Sequence, residues 1–184
     1  MQAAPPVLLT VEDYWLTPLD GPRYQLIEGE LIMAPAPNRF HQDISRNLEF
    51  ILLKYLEKNP IGKLYHAPFD VVLNEINVFQ PDILFVANEQ KSIFTKQGVE
   101  GAPHLVVEIL SESSTRIDKV QKKKVYTEVG VPELWLINPR TQTIEICFLQ
   151  EDAELPTVTH SKNNIFTSPT FPGLKIRAAK VFEQ

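Results

Sequence analysis

The chain has 184 residues, 43% of them apolar, a formal net charge of −5 and a single cysteine. That length suits one domain, residues 1–184, with a sizeable core. The acidic balance argues against a protein that merely coats nucleic acid, because coating neutralises phosphates with an excess of Lys and Arg. One cysteine, Cys147, excludes an intrachain disulfide and a cysteine-built zinc site.

The elements follow in chain order. No basic leader and no membrane-length apolar run precedes them, so a soluble cytoplasmic protein without a membrane partner is expected. Thr10 opens TVED, a capping-box-like start for a short helix through Trp15 and Leu16. RYQLIEGELIMAP then reads as a hairpin turning at Gly29. Asn38 is placed to cap a helix running to about Lys58. Its apolar positions Ile44, Leu48, Ile51, Leu52, Tyr55 and Leu56 form one face. Strands follow: KLYHAPFDVVL with a break at Pro68, VFQPDILFVA, and HLVVEIL. A second long helix is expected from about Arg116 to Val129, stopped by Gly130. VPELWLIN and TQTIEICFL form the next hairpin. Short strands at Thr157–His160 and Ile165–Thr167 and a terminal helix near Ala178 complete an α/β or α+β sheet domain.

Two acids interrupt apolar strands. An ionised carboxylate in a buried strand is costly unless paired, protonated or bound to a metal. Alternation sets Asp82 on a face with Leu84 and Val86, and Glu108 on a face with Val106 and Leu110. If the two strands are neighbours, the carboxylates meet, and such a pair either shares a proton or holds a hard cation such as Mg²⁺. Each acid alone has a plainer explanation: Pro-Asp is common turn chemistry, and Glu108 can face solvent on a half-covered sheet. In the helix after Glu108, Asp118 and Lys122 lie four apart, with Tyr126 one turn on. They make either a surface pair or a lysine delivered to the acids. Glu28, at the hairpin turn, is a candidate third acid. Asp70, in PFDVVL, is a further one, and His41, near the start of the long helix, is a capping or functional histidine.

Six segments in this order resemble the Uma-two family of the PD-(D/E)XK nuclease superfamily: YQLIEGELIMAPAPNRFHQ, PFDVVL, QPDILFV, HLVVEILSESS, DKVQKKKVYTEVGVPELWLINP and SPTFPGLKI. The likeness runs from about Val11 to Phe182. It implies a restriction-endonuclease-like core, a central mixed β-sheet flanked by helices with the site at one end. By the same resemblance Asp82 and Glu108 are metal ligands for Mg²⁺ or Mn²⁺, Glu28 lies near them, and Lys122 and Tyr126 join from the helix. The superfamily pattern places its lysine two residues after the second acid, where this chain has Leu110. The implied activity is metal-dependent hydrolysis of DNA phosphodiesters, with DNA as partner and a homodimer as assembly. The alternative is a nuclease-like module that binds nucleic acid or protein without catalysis.

Overall fold

The computed structural model describes residues 7–18, 20–34, 36–111, 117–149 and 158–184. Their elements run α1 (Val11–Trp15), β1 (Tyr24–Ile27), β2 (Glu30–Met33), α2 (Arg39–Lys58), β3 (Gly62–His66), β4 (Asp70–Asn74), β5 (Asn77–Phe79) and β6 (Ile83–Ala87). A 3₁₀ turn (Asn88–Ile93), β7 (Gly98–Glu100) and β8 (Leu105–Ile109) follow. A π-helical turn (Ile117–Lys122) then leads into α3 (Lys123–Glu128), β9 (Glu133–Asn138), β10 (Thr143–Phe148), β11 (Val158–Ser161), β12 (Ile165–Phe166), β13 (Ile176–Arg177) and α4 (Ala178–Val181).

Local chemistry explains the early elements. Asp13 accepts from the Thr10 backbone at 2.9 Å, tying down the start of α1. The β1–β2 hairpin turns on Glu28 and Gly29, with φ of +49° and +81°. Two successive positive φ values match the twist of paired strands. Asn38 caps α2 by accepting from the His41 N–H at 2.9 Å, which fixes where His41 stands on the first turn.

A six-stranded mixed sheet, in the order β11-β10-β9-β8-β6-β3, forms the centre. One face carries Phe85, Val107 and Trp135 against α2 residues Ile44, Leu48 and Leu52 and against Phe171 and Val181 of the final segment. The other carries Leu84, Val106 and Leu134 against α3 and against a five-stranded sheet of order β2-β1-β5-β4-β7. The central sheet is thus buried on both faces, which is why its strands read as unbroken apolar runs.

Several expectations change. VFQPDILFVA is not one strand: it breaks at Gln80–Asp82, so β5 belongs to the five-stranded sheet and β6 to the central one. Pro81 lacks the N–H a continuous ladder needs there. The second long helix has a π-helical opening, its expected start at Arg116 lies outside the described residues, and so does residue 157 of the expected late strand. The 3₁₀ turn and β7 carry no strong sequence pattern and are additions. The terminal helix begins at Ala178.

Candidate active site

β6 and β8 pair antiparallel, with Ile83 opposite Val107 and Leu84 opposite Val106. One step beyond that ladder brings Asp82 across from Glu108. Directly opposed side chains on a shared face stand roughly 5 Å apart at Cβ. The Asp82 side chain is also tethered to the far strand, because Oδ2 accepts from the Ile109 backbone N–H at 2.7 Å. The Asp82 side chain remains 20% exposed, while Glu108 is 3% exposed.

β8 runs parallel to β9, so the chain between them must cross over and return. The π turn and α3 lie on that crossover. They bring Lys122 Nζ to 3.0 Å from Glu108 Oε1 and 3.1 Å from Asp118 Oδ1. The Tyr126 hydroxyl donates to the same Glu108 oxygen at 2.7 Å. Asp118, Lys122 and Tyr126 are all buried, so the four-residue spacing marks an inward face and not a surface pair. π-Helical turns are rare and recur at functional sites. Phe79 closes the underside: its ring meets Tyr126 edge-to-face at 5.3 Å, and Lys122 Nζ sits 5.8 Å from its centre.

Burial dominates the electrostatics. It pushes the Glu108 carboxyl up to about 8, against the downward pull of Lys122; the Asp118 and Asp82 carboxylates add to the rise. Burial works against the charge on Lys122, yet Glu108 and Asp118 outweigh it and hold the amine protonated beyond its usual range. Burial, then Glu108, raises the Tyr126 hydroxyl well above the usual tyrosine value, so it acts as a donor. Lys122 thus faces the Glu108 carboxyl and the Asp118 carboxylate together.

His41 joins from α2, its Nε2 3.3 Å from Asp82 Oδ1. Burial would lower its pKa, but the Asp82 carboxylate prevails and raises it. Among the described residues its buried Nδ1 has no hydrogen-bond partner. His41, Asp82, Glu108, Asp118 and Lys122 line a cleft of about 590 Å³, with Arg23 and Arg46 among the other lining residues.

The donor set suits a hard divalent cation: opposed carboxylates, with the described hydrogen bonds to Glu108 all falling on Oε1. Among the described residues no three His, Cys, Asp or Glu side chains are grouped closely enough to form a metal cage. Asp82 and Glu108 would therefore leave most of the shell to water or phosphate oxygens, as Mg²⁺ ordinarily requires.

The structure does not bring every candidate to this cleft. Glu28 sits on the hairpin turn, where Oε1 accepts from Lys124 at 2.8 Å, and it is absent from the lining. Asp70 also stands behind the wall: its Oδ1 accepts from the Tyr14 hydroxyl and from Gln80 Nε2, both at 2.8 Å. Gln25 and Gln80 line the cleft and were not anticipated. Their positions adjoin the motifs, but a polar residue at a strand end gives no sequence signal of its own. Glu133, another acid on an apolar strand, lies elsewhere. It accepts from Trp135 Nε1 at 2.7 Å, from Ser168 Oγ at 2.9 Å and from Thr170 Oγ1.

The family model described as "Uma2: Putative restriction endonuclease" matches residues 11–179. No curated protein matches the chain. Among solved structures, the crystal structure of "a putative nuclease belonging to DUF820" from Anabaena variabilis ATCC 29413 superposes with a TM-score of 0.79 at 19% identity, covering 95% of this chain and 97% of that one. At that identity the likeness carries the fold.

Proposed function

This chain belongs to the Uma2 family, and from that premise we propose that it is a divalent-metal-dependent nuclease that hydrolyses DNA phosphodiester bonds in the Asp82–Glu108 cleft. The observation that carries this reading is the convergence of Asp82, Glu108 and Lys122 at one cleft from three separate elements. Asp82 and Glu108 would hold the cation, Mg²⁺ or Mn²⁺. When bound, it would polarise a phosphate oxygen and lower the pKa of a coordinated water. Lys122 would orient that water or balance charge on the phosphate as the bond breaks. Asp118 holds the lysine, Tyr126 fixes one Glu108 oxygen, and the Ile109 N–H and His41 fix Asp82. A homodimer, inferred from the resemblance, belongs to the same reading, and sedimentation equilibrium tests it.

The decisive experiment incubates the purified protein with Mg²⁺ or Mn²⁺ and duplex, branched or single-stranded DNA, beside Glu108→Ala. Cleavage by wild type alone is expected. Equal cleavage by both, or none by either, ends the assignment.

One observation favours a second reading, a structural ion network in a nuclease-like binding module: Lys122 is already satisfied by two carboxylates. It predicts no heat on titrating Mn²⁺ into wild type or Asp82→Asn.

A further inference from the structure

We propose that Gln25 and Gln80 form a donor–acceptor pair that reads the edge of a nucleobase beside the carboxylates, with Asp70 and Tyr14 fixing which atom of Gln80 faces the cleft. The inference rests on the nuclease reading above and adds to it a specificity site.

Hydrogen-bond chemistry dictates both amide orientations. Gln80 Nε2 lies 2.8 Å from Asp70 Oδ1 and 3.3 Å from the Tyr14 hydroxyl. An ionised carboxylate only accepts, so the nitrogen must point to Asp70 and the oxygen away from it. Gln25 Oε1 accepts from the Gln80 backbone N–H at 2.9 Å. A backbone N–H only donates, so here the oxygen points inward and Gln25 Nε2 is the atom left over. Among the described residues neither Gln80 Oε1 nor Gln25 Nε2 has a protein partner, and neither is a sealed, unsatisfied atom. Both side chains line the cleft. It is therefore offered one acceptor and one donor from two side-chain amides, the Gln25 amide being held by the Gln80 backbone N–H.

Nucleobase edges present adjacent donors and acceptors, and side-chain amides are their common readers. The wall beside the pair is apolar. Ile32, directly across the hairpin from Gln25, and Met33 line the same cleft and would take the face of a base. Gln80 precedes Asp82 by two residues, so a base held by the pair leaves its own phosphate near the acids.

Asp70 and Tyr14 are positioning residues. Asn at position 70 can donate as well as accept, so Asp70→Asn lets the Gln80 amide turn over and exchanges acceptor for donor at the cleft.

The test is fluorescence anisotropy with labelled homopolymeric oligonucleotides of each base, single-stranded and duplex, in EDTA so that binding is separated from cleavage. Wild type should prefer one base over the poorest by roughly tenfold to a hundredfold, the range a two-point base contact supplies. Gln25→Met and Gln80→Met should flatten that preference. Asp70→Asn weakens two hydrogen bonds to a carboxylate and should lower the melting temperature, but it should also change the order of preference of the folded protein, which a purely structural role for Asp70 would not do. Wild-type binding with no base preference, or a preference that survives both methionine variants, overturns the proposal. Failure of every oligonucleotide to bind overturns the DNA reading itself.

Discussion

Lys122 Nζ lies 3.0 Å from Glu108 Oε1 although the two residues are 14 positions apart in the chain. The superfamily pattern implied by the resemblance supplies this amine from the strand, at the position occupied here by Leu110. Leu110 instead packs in the core, 3% exposed, and its N–H binds the Ile137 carbonyl at 2.8 Å. The crossover between two parallel strands delivers the cation from above the strand end.

Lys122→Met should therefore do two things at once. It removes the ammonium that pairs with Asp118 and donates to Glu108, and breaking the buried Lys122–Asp118 ion pair from one side costs about 3–5 kcal/mol of stability. It should also slow single-turnover DNA cleavage by roughly a hundredfold to a thousandfold, the usual cost of deleting one charge-stabilising donor. Adding Leu110→Lys should restore part of the rate. A double variant no faster than Lys122→Met would show that the strand position cannot deliver an amine to this site.

The raised value of Glu108 gives stability a pH signature in metal-free protein. The folded chain keeps this proton up to about 8, whereas the unfolded carboxyl loses it near 4.5. The associated stability is complete below the lower value and drains away as pH rises through the upper one. Lys122 stays charged across this window. The gap in melting temperature between wild type and Glu108→Gln should therefore change steadily between about pH 5 and pH 8, to the disadvantage of wild type at the alkaline end. A gap that does not vary with pH would contradict the burial of this carboxyl.

Titration calorimetry with Mn²⁺ should give heat with wild type, and much less with Asp82→Asn or Glu108→Gln. Because cations displace protons from their ligands, wild-type affinity should increase from pH 6 to pH 8 as Glu108 ionises more readily. Undiminished binding in both variants would place any metal elsewhere.

Glu133 supplies the contrast. It is as deeply buried as Glu108, but its acceptor capacity is spent on Trp135, Ser168 and Thr170. Glu133→Gln should lower unfolding stability by about 1.5–3 kcal/mol, the scale of a hydrogen bond to a charged group. Its cleavage rate per folded molecule should match wild type. A selective loss of cleavage would assign this acid to the chemistry.

Glu28→Asn should leave cleavage unchanged, since the turn tolerates asparagine at positive φ and among the described residues the carboxylate pairs with Lys124. A slowed reaction would return Glu28 to the active site.

Periodicity and capping made α2, the first hairpin and the β9–β10 hairpin legible in the sequence, because each is specified by neighbours in the chain. Alternation also set Asp82 and Glu108 on matching faces. Whether the two strands were adjacent was not legible, since pairing depends on the whole sheet order. The split between β5 and β6 was hidden by apolar residues on both sides of Pro81, which serve two different sheets. The direction of Glu28 was not legible for a related reason: a side chain on a turn can point either way, and this one meets Lys124. Gln25 and Gln80 gained meaning only when the Gln80 backbone N–H fixed the first amide and Asp70 and Tyr14 the second.

The parallel pairing of β8 with β9 has a consequence for how such proteins diverge. A crossover element is anchored at both ends by the sheet, so residues on its inner face, here Lys122 and Tyr126, stand over the same strand terminus as Glu108. Positions on the strand and on the helix can then trade a charged group without the backbone moving. A charge supplied from such a crossover is defined by its location in space and not by its spacing along the chain, so a signature written as consecutive letters passes over this site.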